Sequence, residues 1–347
     1  MIDLSLDSTA LGSSACMLNL KRTIIGELVD GLPSPEGGYR SPLSAAVVYG
    51  ISVHRFVDVM FKTNHFPTAR EEAKRLFSIE KLPPNDKQGH LGDPNHLITT
   101  CYNLWTQQIE CESSFEILQI PTKCWWCRGD EQQMTPCTHC QGKGIVTGPA
   151  TELTFSILIY EDNFCRIFLK GTIDTVGKFK NGCFAIRDWK TTSSWKKDEY
   201  LSTYELSRQL RIYTLACKLE ARNNPDSLLG KIGSTNMGSF VDAIFVKAKA
   251  NENEYMRTDV FQYSKEDMET FERSLLRLCS RLSAAIQTNT FEKEGIINGS
   301  CSNIFGPDGV GGKCRFWNVC KSPEPVAQLL LKRDFKRKIF DPLTYNE

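Results

Sequence analysis

The stretch Lys170-Gly171-Thr172-Ile173-Asp174-Thr175-Val176, followed by Cys183-Phe184-Ala185-Ile186-Arg187-Asp188-Trp189-Lys190-Thr191-Thr192, decides the reading of this chain. In both halves Ile, Val, Phe and Cys alternate with polar residues, the period of a β-strand. Lys180-Asn181-Gly182 between them is a hairpin turn signal. A hairpin sets distant carboxylates side by side, so Asp174 and Asp188 are placed to share one divalent cation. Lys190 follows Asp188 by two residues and lies on the same strand face. Two carboxylates, a cation and a lysine form a centre for phosphodiester hydrolysis.

Outward from this hairpin the pattern alternates between helix and strand. Helices are expected from about residue 41 or 44 to 60, over 68–77, over 95–110, over 202–219 and over 265–286. Further strands are expected over 153–160 and 240–247, with residues 165–176 and 183–190 forming the hairpin itself. Residues 31–38 and 79–95 are rich in Pro and Gly and read as loops. Glu152, at the head of the first strand, reads as a solvated charge rather than an auxiliary acid. The order of elements indicates an α/β core.

Composition narrows the class. At 347 residues the chain can bury a full core. Its 41% hydrophobic and 24% charged content is that of an ordinary globular protein. No apolar run approaches the ~18 residues of a membrane span, and the first residues lack a secretory signal pattern. A cytoplasmic location is expected, the host cytoplasm if the gene is a phage's. A net charge of +1 argues against a non-specific coat on nucleic acid and leaves room for a local basic groove. Lys332-Arg333 and Lys336-Arg337-Lys338 are a candidate for it, with a solvated helix face as the plainer reading.

Four motifs in chain order carry a family resemblance. They are Gly50-Ile51-Ser52-Val53-His54, Gly171-Thr172-Ile173-Asp174, Asp188-Trp189-Lys190-Thr191 and Gln209-Leu210-Arg211-Ile212-Tyr213. The set resembles the G-x-x-x-H, G-x-x-D, D-x-K-T and Q-x-x-x-Y motifs of the RecB-like branch of the PD-(D/E)xK nucleases. Each motif is weak alone; their order gives the match its specificity. The resemblance implies a restriction-endonuclease-like core, a mixed central sheet flanked by helices. It implies Mg²⁺ or Mn²⁺ held by His54, Asp174, Asp188 and the carbonyl of Trp189, with Lys190 steadying the nucleophile or transition state. Gln209 and Tyr213, four apart on one helical face, would hold Lys190 or touch the DNA backbone. Taken singly, His54 reads as a satisfied helix polar group and Tyr213 as core.

Fourteen cysteines is a high count, and spacing explains part of it. Cys124-x2-Cys127 and Cys137-x2-Cys140 form a pattern for one tetrahedral Zn²⁺, with Gly129, Gly142 and Gly144 freeing the backbone around the thiolates. The spacing resembles the zinc modules of DnaJ-type chaperones, which implies zinc binding here and no chaperone activity. The module is expected over 120–149 as an insertion. It could grip DNA, bind a partner or brace a loop; Trp125 and Trp126 could stack on bases or pack over the metal.

Cys314-x5-Cys320, with Cys301 and Cys16, resembles the iron–sulfur ligand set of AddB and CRISPR-adaptation nucleases. That resemblance implies a 4Fe-4S cluster joining residue 16 to 301–320, and so the two ends of the chain. The spacing departs from C-x2-C-x5-C, here C-x12-C-x5-C, which leaves Cys279 or a non-cysteine group as alternatives to Cys301, and zinc as an alternative occupant. Cys101, Cys111, Cys165, Cys183 and Cys217 read as buried small residues.

The chain is thus expected to be one nuclease domain over 1–347. Its expected activity is that of a metal-dependent DNA nuclease, an exonuclease working on DNA ends or single strands in recombination, repair or replication. DNA is the expected partner, beside a replication or recombination protein. The alternative is a non-catalytic nucleic-acid-binding component that keeps the fold. The intact Asp174, Asp188 and Lys190 set favours activity.

Overall fold

The computed structural model describes residues 1–12, 17, 20, 29–30, 45–77, 89–127, 137–291 and 317–336. The elements that matter below are, in chain order, β1 (Ile2–Leu6), α1 (Ala45–Thr63), α2 (Phe66–Leu76), α3 (Pro94–Leu104), β2 (Phe115–Ile117), β3 (Gln119–Lys123) and β4 (Ile145–Pro149). They continue with β5 (Thr151–Glu161), β6 (Cys165–Phe179), β7 (Phe184–Thr192), α4 (Lys197–Ser202), α5 (Arg208–Asn223), β8 (Gly238–Phe245), β9 (Glu254–Arg257) and α6 (Lys265–Thr288). The described fold is mixed α/β, with a mixed sheet flanked by helices, consistent with a restriction-endonuclease-like fold. No described helix is long and apolar enough to cross a membrane.

The chain divides into two compact units. One comprises Met1–Ser41, Thr154–Thr172 and Tyr263–Glu347. Within it β1 pairs in parallel with the first half of β6, Ile2 facing Cys165 and Leu6 facing Leu169. Asp162 closes the turn before β6 by accepting the backbone N–H of Phe164 at 2.8 Å and of Cys165 at 3.0 Å, as a turn-forming Asp does. Ser264 caps α6, its hydroxyl accepting from Asp267 at 3.0 Å.

The other unit, Pro42–Leu153 with Ile173–Gln262, holds every described residue of the expected catalytic set. Its sheet runs β2, the end of β6, β7, β8, β9. The β6–β7 and β8–β9 pairs are antiparallel and β7–β8 is parallel, with α5 in the crossover. All eight residues of β8 are buried, as a strand covered on both faces requires. On α1, Val53, Phe56, Val57 and Met60 recur at helical spacing and are buried with Leu97, Leu104, Trp189 and Ile244.

Three features differ from the expectations. The helix beginning at Pro94 gives way at Trp105 to a π-helical turn, Trp105–Ile109. The expected helix over 202–219 is two elements, α4 and α5, the second opening where Ser207 caps Leu210. Of the cysteines expected to be buried, Cys101, Cys165 and Cys217 are, whereas Cys111 is exposed and Cys183 half-exposed. Both lie where the chain leaves regular structure, beyond the layers that bury the others.

Candidate functional site

The β6–β7 hairpin positions the first two acidic groups. Its ladder pairs Thr175 with Arg187, and one step further the register sets Asp174 across from Asp188. There the backbone N–H of Trp189 donates to Oδ2 of Asp174 at 2.7 Å. A side chain thus takes the place of a strand carbonyl, so Asp174 is fixed by the backbone of the neighbouring strand.

His54 arrives from α1, its Nδ1 3.4 Å from the same Oδ2. Gly50, one helical turn earlier, explains the close approach. A Cβ there would stand 2.7 Å from Oγ1 of Thr191 on β7. The glycine of the first motif and the threonine of the third therefore meet, and that contact sets the depth of His54.

Glu152, weighed in the sequence as an auxiliary acid and read there as a solvated charge, joins this group. It is the second residue of β5 and takes φ +50, a left-handed backbone uncommon outside glycine. Ligand atoms of His54, Glu152 and Asp174 all lie within 4.8 Å of one another. Burial, then the charges of Asp174 and Asp58, push its carboxyl up to about 8. The expectation of a solvated charge is therefore corrected: Glu152 faces a recess shared with His54, Asp58 and Asp174. Asp58 is itself buried, accepting from the Thr151 hydroxyl at 2.8 Å and pairing with Lys62 at 2.6 Å.

Asp188 is fully buried and answers to other partners. Its Oδ2 is 2.5 Å from Nζ of Lys190, and its Oδ1 accepts from Nε2 of Gln209 at 3.2 Å. The same Gln209 nitrogen donates to the Tyr213 hydroxyl at 2.6 Å. Tyr213 is buried and reaches Asp188 through Gln209, while the Trp189 carbonyl accepts from Lys190 at 3.4 Å.

Burial raises Asp174 above the usual carboxylate range, against Lys190 and the Trp189 N–H. Burial pushes Asp188 up to about 6, with Lys190 opposing. For Lys190 burial acts downward, but Asp188 and Asp174 outweigh it and keep the ammonium charged. Burial, aided by Lys190, drives His54 down to about 4, so its imidazole is neutral near pH 7 with a lone pair to give. Buried carboxylates with raised proton affinity beside a neutral imidazole are a donor set short of positive charge. Hard oxygens with one nitrogen fit Mg²⁺ or Mn²⁺.

A second donor set lies in the same unit. β3 and β4 form a two-stranded ribbon, Lys123 paired with Ile145, from which the cysteine knuckles project. Sγ of Cys124 is 3.8 Å from that of Cys137, and Sγ of Cys127 is 3.6 Å from that of Cys140. All four sulfurs lie within 4.8 Å of one another. A Zn–S bond of about 2.3 Å gives a tetrahedron with edges of about 3.8 Å. Gly142 takes φ +78, turning the chain so that its N–H meets the Cys137 carbonyl at 3.2 Å. For Cys140 burial acts upward, but the Cys127 thiol and the Gly144 and Gly142 backbone outweigh it and hold the thiol down at about 7, favouring the ligating thiolate. The expected iron–sulfur ligands Cys16, Cys301 and Cys314 lie outside the described residues; Cys320 is half-buried on a short helix, Trp317–Lys321.

Comparison with known proteins places these observations. No curated protein sequence matches the chain. Among solved structures, the crystal structure of SSO0001 is similar at 11% identity, covering 79% of this chain and 90% of its own, with a TM-score of 0.23. The sequence matches the family model of the PD-(D/E)XK nuclease superfamily over residues 27–321. The chain belongs to the PD-(D/E)XK nuclease superfamily.

Proposed function

We propose that this chain is a Mg²⁺- or Mn²⁺-dependent deoxyribonuclease of the RecB-like type. In this reading it is an exonuclease acting on DNA ends or single strands during recombination, repair or replication. The observation that carries the reading is the convergence of His54, Glu152 and Asp174 beside the Asp188–Lys190 pair, in a chain of a nuclease superfamily. The exonuclease and RecB-like assignments rest on the four ordered motifs.

His54, Glu152 and Asp174 would hold the cation, with Asp188 and the Trp189 carbonyl as the remaining donors expected from the resemblance. A divalent ion there lowers the pKa of a bound water and neutralises charge on a phosphate oxygen. Lys190 places an ammonium where negative charge grows on the phosphate. Asp188 keeps that ammonium charged and aimed, and Gln209 fixes Asp188 through its second oxygen. Tyr213 in turn holds Gln209.

The cysteine knuckles are read as a structural zinc site. Their sulfur spacing supports a single ion over an iron–sulfur cube, whose four irons spread the thiolates further apart. A 4Fe-4S cluster on Cys16, Cys301, Cys314 and Cys320 remains the proposal for the chain ends. The family match runs through both compact units, which supports reading them as one nuclease domain.

The test is cleavage of linear DNA by purified protein with Mg²⁺ or Mn²⁺. Asp188→Ala and Lys190→Ala should each abolish it while thermal melts still report a folded chain. Retained cleavage in both variants would overturn the assigned centre.

A further inference from the structure

Next to the catalytic recess lies a second cavity of about 170 Å³. Phe61 lines both, so the two adjoin at that ring. Lys62, Lys123, Gln119, Thr122, Thr147 and Trp125 supply most of the remaining wall. Among the described residues no carboxylate lines it, although the neighbouring recess is crowded with them. Lys62 already pairs with Asp58, whereas Lys123 makes no ion pair among the described residues. A cavity with ammonium groups, hydroxyls, an amide and an indole, and without acids, suits an anion that carries an aromatic ring.

The knuckle continues this surface. Trp125 is held by the Arg55 guanidinium 4.7 Å over its ring. Trp126, the next residue, is 41% exposed, although an indole at a metal knuckle could have packed inward. Its ring stacks on His139 at 4.6 Å between centroids and 17° between planes. His65 meets it edge-on at 6.1 Å, completing an aromatic step on the surface. Exposed stacked rings beside unpaired lysine charge are what single-stranded nucleic acid uses, since every unpaired base offers a flat face and every linkage a charge. A paired base has its faces covered and cannot use them.

We propose that this cavity and the Trp126–His139 stack seat an unpaired segment of the DNA substrate, leading its backbone past Phe61 to the catalytic recess. The inference deepens the nuclease reading and rests on it. It assigns the zinc module a role in gripping the substrate and selects single strands, or unpaired ends, over intact duplex.

The experiment measures binding of a fluorescein-labelled oligothymidylate and of a blunt duplex by anisotropy, with Ca²⁺ as the divalent ion. Lys123→Glu and Trp126→Ala should each weaken oligothymidylate binding by about tenfold, and Trp126→Phe should recover most of it. Lys123 is exposed on a strand end and Trp126 on the surface, so zinc content and melting temperature should be unchanged. Hydrolysis of bis(p-nitrophenyl) phosphate with Mn²⁺ reads the catalytic centre without the cavity and should also be unchanged. Variants that bind oligothymidylate as tightly as wild type would overturn the inference. So would a wild-type preference for duplex, which would leave the surface to a protein partner. A wild-type chain that binds oligothymidylate, loses it in the variants and cleaves neither DNA nor the diester would support the inference and overturn the nuclease reading.

Discussion

Oδ2 of Asp174 accepts the backbone N–H of Trp189 at 2.7 Å, so one carboxylate both ties two strands and faces a would-be cation. Asp174→Asn separates the two roles. The amide oxygen can still accept the N–H, and the lost charge removes the ionic ligand. The variant should fold with a near-native melting temperature. Cleavage should fall by more than the about 10–100-fold that follows loss of an outer partner of a metal ligand. Parallel melts and rate measurements check this; a variant that unfolds would show the strand tie to be the larger role.

Glu152 makes the complementary case. Its carboxyl is held up at about 8 by burial and by Asp174 and Asp58, so negative charge there opposes folding until a cation binds. Glu152→Gln keeps the shape and removes the charge. The metal-free variant should melt several degrees above wild type, while the rise on adding Mn²⁺ should shrink, because linkage scales with affinity. Thermal melts with and without Mn²⁺ decide it. A Mn²⁺-induced rise equal to that of wild type would place the cation away from Glu152.

The hairpin bearing Asp174 and Asp188 was legible because strand alternation and an Asn-Gly turn are local signals. The helix carrying His54 was legible for the same reason, Val53, Phe56, Val57 and Met60 recurring at 3–4 residue spacing. Glu152 was not, because its place depends on a left-handed backbone and on the approach of Asp58 from another helix. The β3–β4 ribbon was missed as well. Its strands are five residues long and separated by the knuckles, and their buried residues are Gly148 and Pro149, so no run of buried apolar side chains marks them. The contacts of Asp188 with Lys190 and Gln209 depend on side-chain rotation and on the approach of another helix, which no sequence pattern records.

Gly50 gives a prediction in which two effects oppose. In an exposed helix Gly→Ala gains about 1 kcal/mol of helix propensity. Here the new methyl would meet Oγ1 of Thr191 at 2.7 Å, and overpacking typically costs about 1–3 kcal/mol. Gly50→Ala should therefore be destabilising on balance and should lower cleavage by shifting His54. Adding Thr191→Ala removes the clash, so the double variant should exceed Gly50→Ala in stability. Urea unfolding of the three variants tests it; additive effects would mean the two residues do not press on each other.

For the knuckles, Cys140→Ser should release zinc from the purified protein, measured by metal analysis. Because thiolate sites convert binding energy into folding energy, the variant and the chelator-treated wild type should lose melting temperature together. A wild-type chain that contains no zinc and is indifferent to chelator would sink the assignment.

Glu112 sets an acid limit on stability from outside the candidate ligand set. Its Oε1 accepts the Ser114 N–H at 2.9 Å and its Oε2 meets Arg257 at 2.5 Å. Arg257 also grips Asp242 at 2.7 Å, and Asp242 pairs with the buried Arg187 at 2.5 Å. Burial acts to raise the Glu112 carboxyl, but Ser114 and Arg257 outweigh it and bring it down to about 2, from an ordinary 4.5. A carboxyl depressed on folding contributes stability that is complete above its unfolded pKa and disappears as pH falls through its folded pKa. The Glu112 contribution should thus be present at pH 7 and vanish between about pH 4.5 and about 2. The pair is partly solvated, so the contribution should be about 1 kcal/mol, between that of an exposed ion pair and that of a buried charged hydrogen bond. Glu112→Gln should cost that amount at pH 7, and urea unfolding curves of variant and wild type should converge as the solution is acidified. A gap that persists unchanged at the acid end would mean that Glu112 acts through its shape rather than its charge.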